Sequence, residues 1–126
     1  MNQFVNPPVI NEVLSLLPLA DATADVTGTS VDMANYPDNY PMLAVIQVGT
    51  VDNLDAAFVK LEESHNNVTF TPLAHSKAFS NSDETQVLPV LRTKRYVRAV
   101  LVIEFEQPDP ENPVATTLPI TAFLVR

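Results

Sequence analysis

No cysteine occurs in the 126 residues, so disulfides, thiolate metal sites and thiol nucleophiles are all excluded. Nothing in the sequence therefore calls for an oxidising compartment. Tryptophan is absent as well, and only two glycines occur, Gly28 and Gly49. Turns must then rest on Asn, Asp and Pro, and a Gly-rich phosphate cradle is ruled out. Basic residues are missing from the first half: residues 1–59 carry seven acids and no base, and the first cation is Lys60. With no Lys or Arg in residues 1–17, the basic flank of a secretory signal is not expected. Apolar runs reach strand length only, so no membrane span and no membrane partner are expected.

What is present reads as one domain. Hydrophobic residues make up 46% and charged residues 17%. A chain of this length buries roughly two-thirds of its unfolded surface, enough for one core. Net charge is −8, of which −7 falls in residues 1–59 and −1 in residues 60–126, where seven bases face eight acids. Four of those bases crowd into Arg92-Thr-Lys94-Arg95-Tyr-Val-Arg98. An acidic half beside a local basic knot lacks the continuous basic face of a general nucleic-acid binder, so no direct nucleic-acid contact is expected. It permits charge-complementary contact between protein subunits.

The first twelve residues form an N-terminal arm, and the domain is expected to span 13–126. Asn6-Pro7-Pro8 imposes extended or polyproline-like backbone. Ile10, Val13, Leu14 and Leu17 have helical spacing, which allows one or two helical turns ahead of Pro18. Asp21–Ser30 is polar and turn-like, and a short strand is expected at Ser30–Met33. Met42–Val48 is apolar at successive positions, as a central strand covered on both sides would be. Ala56–Glu63 alternates, with Ala57, Val59 and Leu61 on one face and Lys60 and Glu62 on the other. Ser64–Asn67 then closes a hairpin onto Val68–Thr71. A further short strand is expected at Ala74–Phe79. Pro89 places Thr85–Leu91 at a sheet edge or a bulge. Tyr96–Glu106 has the clearest period of two: Val97, Ala99, Leu101, Ile103 and Phe105 oppose Arg98, Glu104 and Glu106. Gln107–Pro113 is a proline-rich turn, and Leu118–Val125 is a last strand, again apolar on both faces. The result is an all-β, single-domain jelly roll or β-sandwich of about eight strands with an extended N-terminal arm.

Three segments carry a resemblance. Thr29-Ser-Val-Asp-Met33 leads into Pro41-Met-Leu-Ala-Val-Ile-Gln-Val48. Leu61-Glu-Glu-Ser-His-Asn-Asn-Val-Thr-Phe70 has the form of a strand, a Leu-x-x-Ser, a turn and a Phe. Lys94-Arg-Tyr-Val-Arg98 opens the strand Ala99–Phe105. In this order the three resemble jelly-roll capsid decoration (cement) proteins of tailed bacteriophages with HK97-type heads, over roughly residues 25–126. The few glycines and the proline-rich Gln107–Pro113 depart from that pattern, and the arm is not matched. The resemblance implies a virion structural protein, made in the host cytoplasm and placed on the outer capsid surface. There it would bind the major capsid protein across subunit boundaries and stabilise the shell against internal DNA pressure, as a homo-oligomer (dimer or trimer). A carbohydrate- or receptor-binding β-sandwich module of a phage tail is the alternative, with Tyr36 and Tyr40 as the clustered aromatics it would use.

Reactive groups are sparse. His65 and His75 stand ten apart, outside metal-ligand spacing. Ser64 and His65 are adjacent on a turn, where nucleophile and base do not face each other. Glu62/Glu63 and Glu104/Glu106 have the pattern of a solvated face as much as of a carboxylate pair. Asp52-Asn-Leu-Asp55 is too thin in ligands for a calcium loop. No catalytic residue, cofactor or metal is therefore expected, and the protein is not expected to be an enzyme. The candidate partner-binding residues are Phe4, Val5, Pro7, Pro8, Val9 and Ile10 in the arm, with Arg92, Lys94, Arg95 and Arg98 in the basic knot. Two roles stay open for each group. The knot either pairs with local acids or meets acids on a neighbour, and the arm is either a frayed terminus or a segment ordered in a neighbour's groove.

Overall fold

Alternation with a period of two puts one side of a strand in the core and the other in solvent, and two such sheets stacked face to face cover each other. The computed structural model follows this plan. It describes residues 13–37, 39–50, 54–79, 81–105 and 117–125, with no helix among them. Nine strands form among the described residues: β1 (Val13–Ala22), β2 (Val26–Thr27), β3 (Val31–Asp32), β4 (Met42–Val48), β5 (Leu54–Ser64), β6 (Thr71–His75), β7 (Thr85–Val90), β8 (Tyr96–Phe105) and β9 (Leu118–Val125). The first sheet runs β1-β9-β4-β7 and the second β2-β8-β5-β6, with β3 also on β8. All pairs are antiparallel. Because β2 and β3 both pair with β8, they occupy one strand position, which leaves the eight positions of a jelly roll.

The core lies between the sheets. Met42, Ala44, Ile46, Val48, Leu118, Ile120, Ala122 and Leu124 face inward from the first, and Ala57, Val59, Leu61, Val97, Ala99 and Leu101 from the second. Met33 and Phe79 are also fully buried. Each large aliphatic or aromatic side chain so covered contributes about 1.5–3 kcal/mol relative to exposure. Gly28 sits between β1 and β8, its N–H donating to the Ala99 carbonyl at 2.8 Å. A Cβ on Gly28 would lie 2.2 Å from the Leu16 carbonyl oxygen, closer than any non-bonded contact tolerates.

Several local expectations change. The helical spacing around Val13, Leu14 and Leu17 belongs to β1. Register shifts between Ser15 and Leu17 and between Leu17 and Ala20 put extra residues into this edge strand, break its period of two and bury Leu16 and Leu17 in succession. Pro18 falls within the second shift, where the ladder makes no demand on an N–H. Val26–Thr27, expected as turn, pairs with β8. The strand expected at Val68–Thr71 and its neighbour at Ala74–Phe79 resolve into β6 alone. The Ser64 hydroxyl and the Asn66 side-chain Oδ1 accept from the N–H groups of residues 66–69, which removes them from the ladder. Met42–Val48 and Leu118–Val125 are central strands, but among the described residues the first sheet is covered on one side only. Their outer residues, apolar apart from Gln47 and Thr121, have no second layer over them among the described residues. Pro89 does lie on the edge strand β7. The arm 1–12, Glu106 and the 107–113 turn fall outside the described residues.

Candidate functional site

The basic knot lies in the β7–β8 connection and the first turn of β8, and tertiary contacts divide it. Arg92 turns inward and is 1% exposed. Its guanidinium donates to the carbonyls of Met33 (3.0 Å), Tyr36 (2.6 Å), Pro37 (3.2 Å) and Lys94 (3.0 Å). It thus ties the 33–37 loop to the β7–β8 connection, and its planar fork suits several fixed acceptors. Glu63 on β5 is buried beside it, accepting from the Thr93 N–H (2.9 Å), the Thr93 hydroxyl (3.1 Å) and the Lys94 N–H (3.3 Å). An arginine expected at a partner surface is therefore internal, because loop carbonyls that no strand satisfies need a buried donor.

The other three cations face outward on the second sheet. Lys94 Nζ donates to Thr71 Oγ1 at 2.8 Å. Arg95 grips Asp32 of β3 through Nε (2.8 Å) and Nη2 (2.7 Å), with its guanidinium carbon 5.1 Å from the Tyr96 ring centre. This hydrogen-bonded guanidinium, together with the Ala34 N–H, holds the Asp32 carboxyl at about 2 rather than near 3.8, and Asp32 raises Arg95 in return. Arg98 binds Glu62 on β5 at 2.8 Å and stacks 3.8 Å from the centre of Phe70. The local pairing open in the sequence is thus present for Arg95 and Arg98. Lys94, Arg95 and Arg98 share one end of this sheet; the arm candidates Phe4, Val5, Pro7, Pro8, Val9 and Ile10 fall outside the described residues.

The two outer faces differ in character. The outer face of the second sheet carries five charged residues (Asp32, Lys60, Glu62, Arg98, Glu104), and the strands of the first sheet carry one, Asp21. Sequence reasoning missed this segregation, although the uncharged runs 42–48, 85–90 and 118–125 carried its signal. At one end of the first sheet an open groove of about 630 Å³ lies among Pro41, Leu43, Pro89, Leu91 and Val125. Tyr36 and Tyr40 are half-buried against the core instead of forming an aromatic platform. His65 is exposed on the β5–β6 turn, His75 Nδ1 lies 2.9 Å from the Ser76 carbonyl, and the Ser64 hydroxyl donates to Asn66 Oδ1. Among the described residues, no three His, Asp or Glu side chains are grouped to hold a metal ion.

No protein-family model matches the chain, and no curated protein does. Among solved structures, a chain in the structure of the infectious bursal disease virus Gx strain is similar in fold. Its TM-score is 0.54 at 7% identity, over 91% of this chain and 31% of that one. The present chain thus spans about a third of the length of that viral chain, and at this identity the likeness establishes the β-sandwich alone.

Proposed function

We propose that the chain is a structural protein of a virion, and more narrowly a decoration (cement) protein on the outer surface of a tailed-phage head. In that role it binds an HK97-type major capsid protein and stiffens the shell against the pressure of packaged DNA. The coarser part is supported by the fold, a jelly roll similar to a chain of a virus structure. The narrower part is supported by the sequence resemblance over residues 25–126. The observation that carries the proposal is the division of the surface into two broad faces, one charged and one apolar. Sheet faces of this kind suit contacts repeated over a lattice, where many weak sites act together.

Lys94, Arg95 and Arg98 are the contacts proposed for the shell, because a bidentate arginine can exchange a local carboxylate for one on a neighbour at little net cost. Residues 1–12 are proposed to add contacts through Phe4, Val5, Val9 and Ile10. Co-sedimentation with purified DNA-filled heads tests both parts. The intact chain is expected to pellet with heads, and a chain lacking residues 2–8 is expected to pellet less. Equal occupancy would remove the arm from the binding, and an intact chain left in the supernatant would reject the capsid role.

A further inference from the structure

The antiparallel register lines up the outer residues of the first sheet into rows. Val13, Val125, Leu43 and Pro89 form one row across all four strands, and Ser15, Phe123, Val45 and Val87 the next. A third, polar row holds Thr121, Gln47 and Thr85. Leu43 is 46% exposed and Val87 52%, and Pro41 and Leu91 extend the apolar end into the groove described above. The single charged residue on these strands, Asp21, pairs with Pro119 toward the opposite end.

We propose that this face is where two copies of the chain meet, sheet against sheet about a two-fold axis. A charged partner surface would lose its hydration against these rows without gaining a counter-charge, so the partner must be apolar and uncharged there. A second copy of the same face meets that condition. Among the described residues it is also the face through which two chains of charge −8 can approach without opposing their acids. Val, Leu and Phe rows from two sheets pack about 10 Å apart, as the two layers of one sandwich do. Four strands at ~4.8 Å and about six residues at ~3.3 Å give a face of roughly 400 Å². A stable standard interface takes about 800 Å² from each partner, so the pairing is weak and depends on concentration. It also has a distinctive salt response. With no ion pair in the contact and net repulsion between the copies, added salt strengthens it, whereas a contact made by Lys94, Arg95 and Arg98 weakens.

Sedimentation velocity of the full chain, from about 10 μM to about 1 mM and at low and high salt, tests this over the range expected of a small interface. The sedimentation coefficient is expected to rise with concentration, and to rise at lower concentration in high salt. Leu43→Lys and Val87→Lys, two exposed positions on different strands, are each expected to remain monomeric while keeping the parent β-sheet circular dichroism. Val68→Lys, at an exposed position on the β5–β6 turn of the other sheet, is expected to associate as the parent does. The proposal is overturned by a full chain that stays monomeric throughout, including the case in which only a chain lacking residues 2–8 pairs. It is also overturned by association that weakens with salt or that Leu43→Lys and Val87→Lys both retain. Head binding lost in Leu43→Lys without any self-association would assign the face to the shell and overturn it too.

Discussion

Arg92 and Arg95 are three positions apart and do opposite things. Arg92 serves as an internal donor to four carbonyls, and its loss removes all four bonds, although the Met33 and Pro37 carbonyls keep the Tyr36 and Tyr40 N–H groups. Arg92→Ala is expected to lower stability by about 2–4 kcal/mol in urea unfolding, since buried hydrogen bonds to a charged group are costly to remove. Arg95 acts on an exposed carboxylate. Asp32 titrates near 2 in the folded chain, below its ordinary value, so its contribution is present above about pH 4 and is lost as pH falls toward 2. Because the Arg95 hydrogen bond is the main cause, Arg95→Ala is expected to move the Asp32 titration midpoint up toward 3.8. Carboxyl carbon shifts followed by NMR against pH measure this directly; an unmoved midpoint would assign the depression to the Ala34 N–H instead.

At the scale of elements, β8 is the spine of the second sheet, pairing with β2, β3 and β5. Its inward residues Val97, Ala99 and Leu101 are fully buried, while Glu104 is exposed. Leu101→Ala is expected to cost about 2–5 kcal/mol through lost burial and the cavity left behind. Glu104→Gln is expected to stay within about 0.5 kcal/mol. Denaturant midpoints of the two variants check the register, because a one-residue slip would exchange the two effects. The edge strand β1 follows a different rule. Two bulges let it bury Leu16 and Leu17 together and carry Pro18 without loss of pairing, at the cost of the regular pattern by which a strand is recognised.

For the whole molecule, the strands of the sandwich among the described residues begin at Val13 and end at Val125. Removing residues 2–8 is therefore expected to leave the melting temperature within about 2 °C, the shift that a few tenths of a kcal/mol produces in a domain of this size. A larger drop in differential scanning calorimetry would make the arm part of the fold. The charge map belongs to this scale as well: one sheet carries nearly all the strand charges and the other almost none, so the two faces suit different kinds of contact.

The sequence by itself determined the all-β class, the position of β4, β8 and β9, the placement of Pro89 at an edge or a bulge, and the inward face of β8. These are properties of period and of single residues, and they are local. Only the tertiary structure decided the rest. Arg92 sits inside the fold and Arg95 outside, because carbonyls from residues 33–37, far away in sequence, needed a buried donor. Residues 13–22 became a strand because β9 supplied a partner and tolerated two bulges. The strands that are apolar on both sides marked an outer face with no third layer over it among the described residues. Hydrophobicity along a chain records that a side chain avoids water; only the assembled sheets show whether it has been covered.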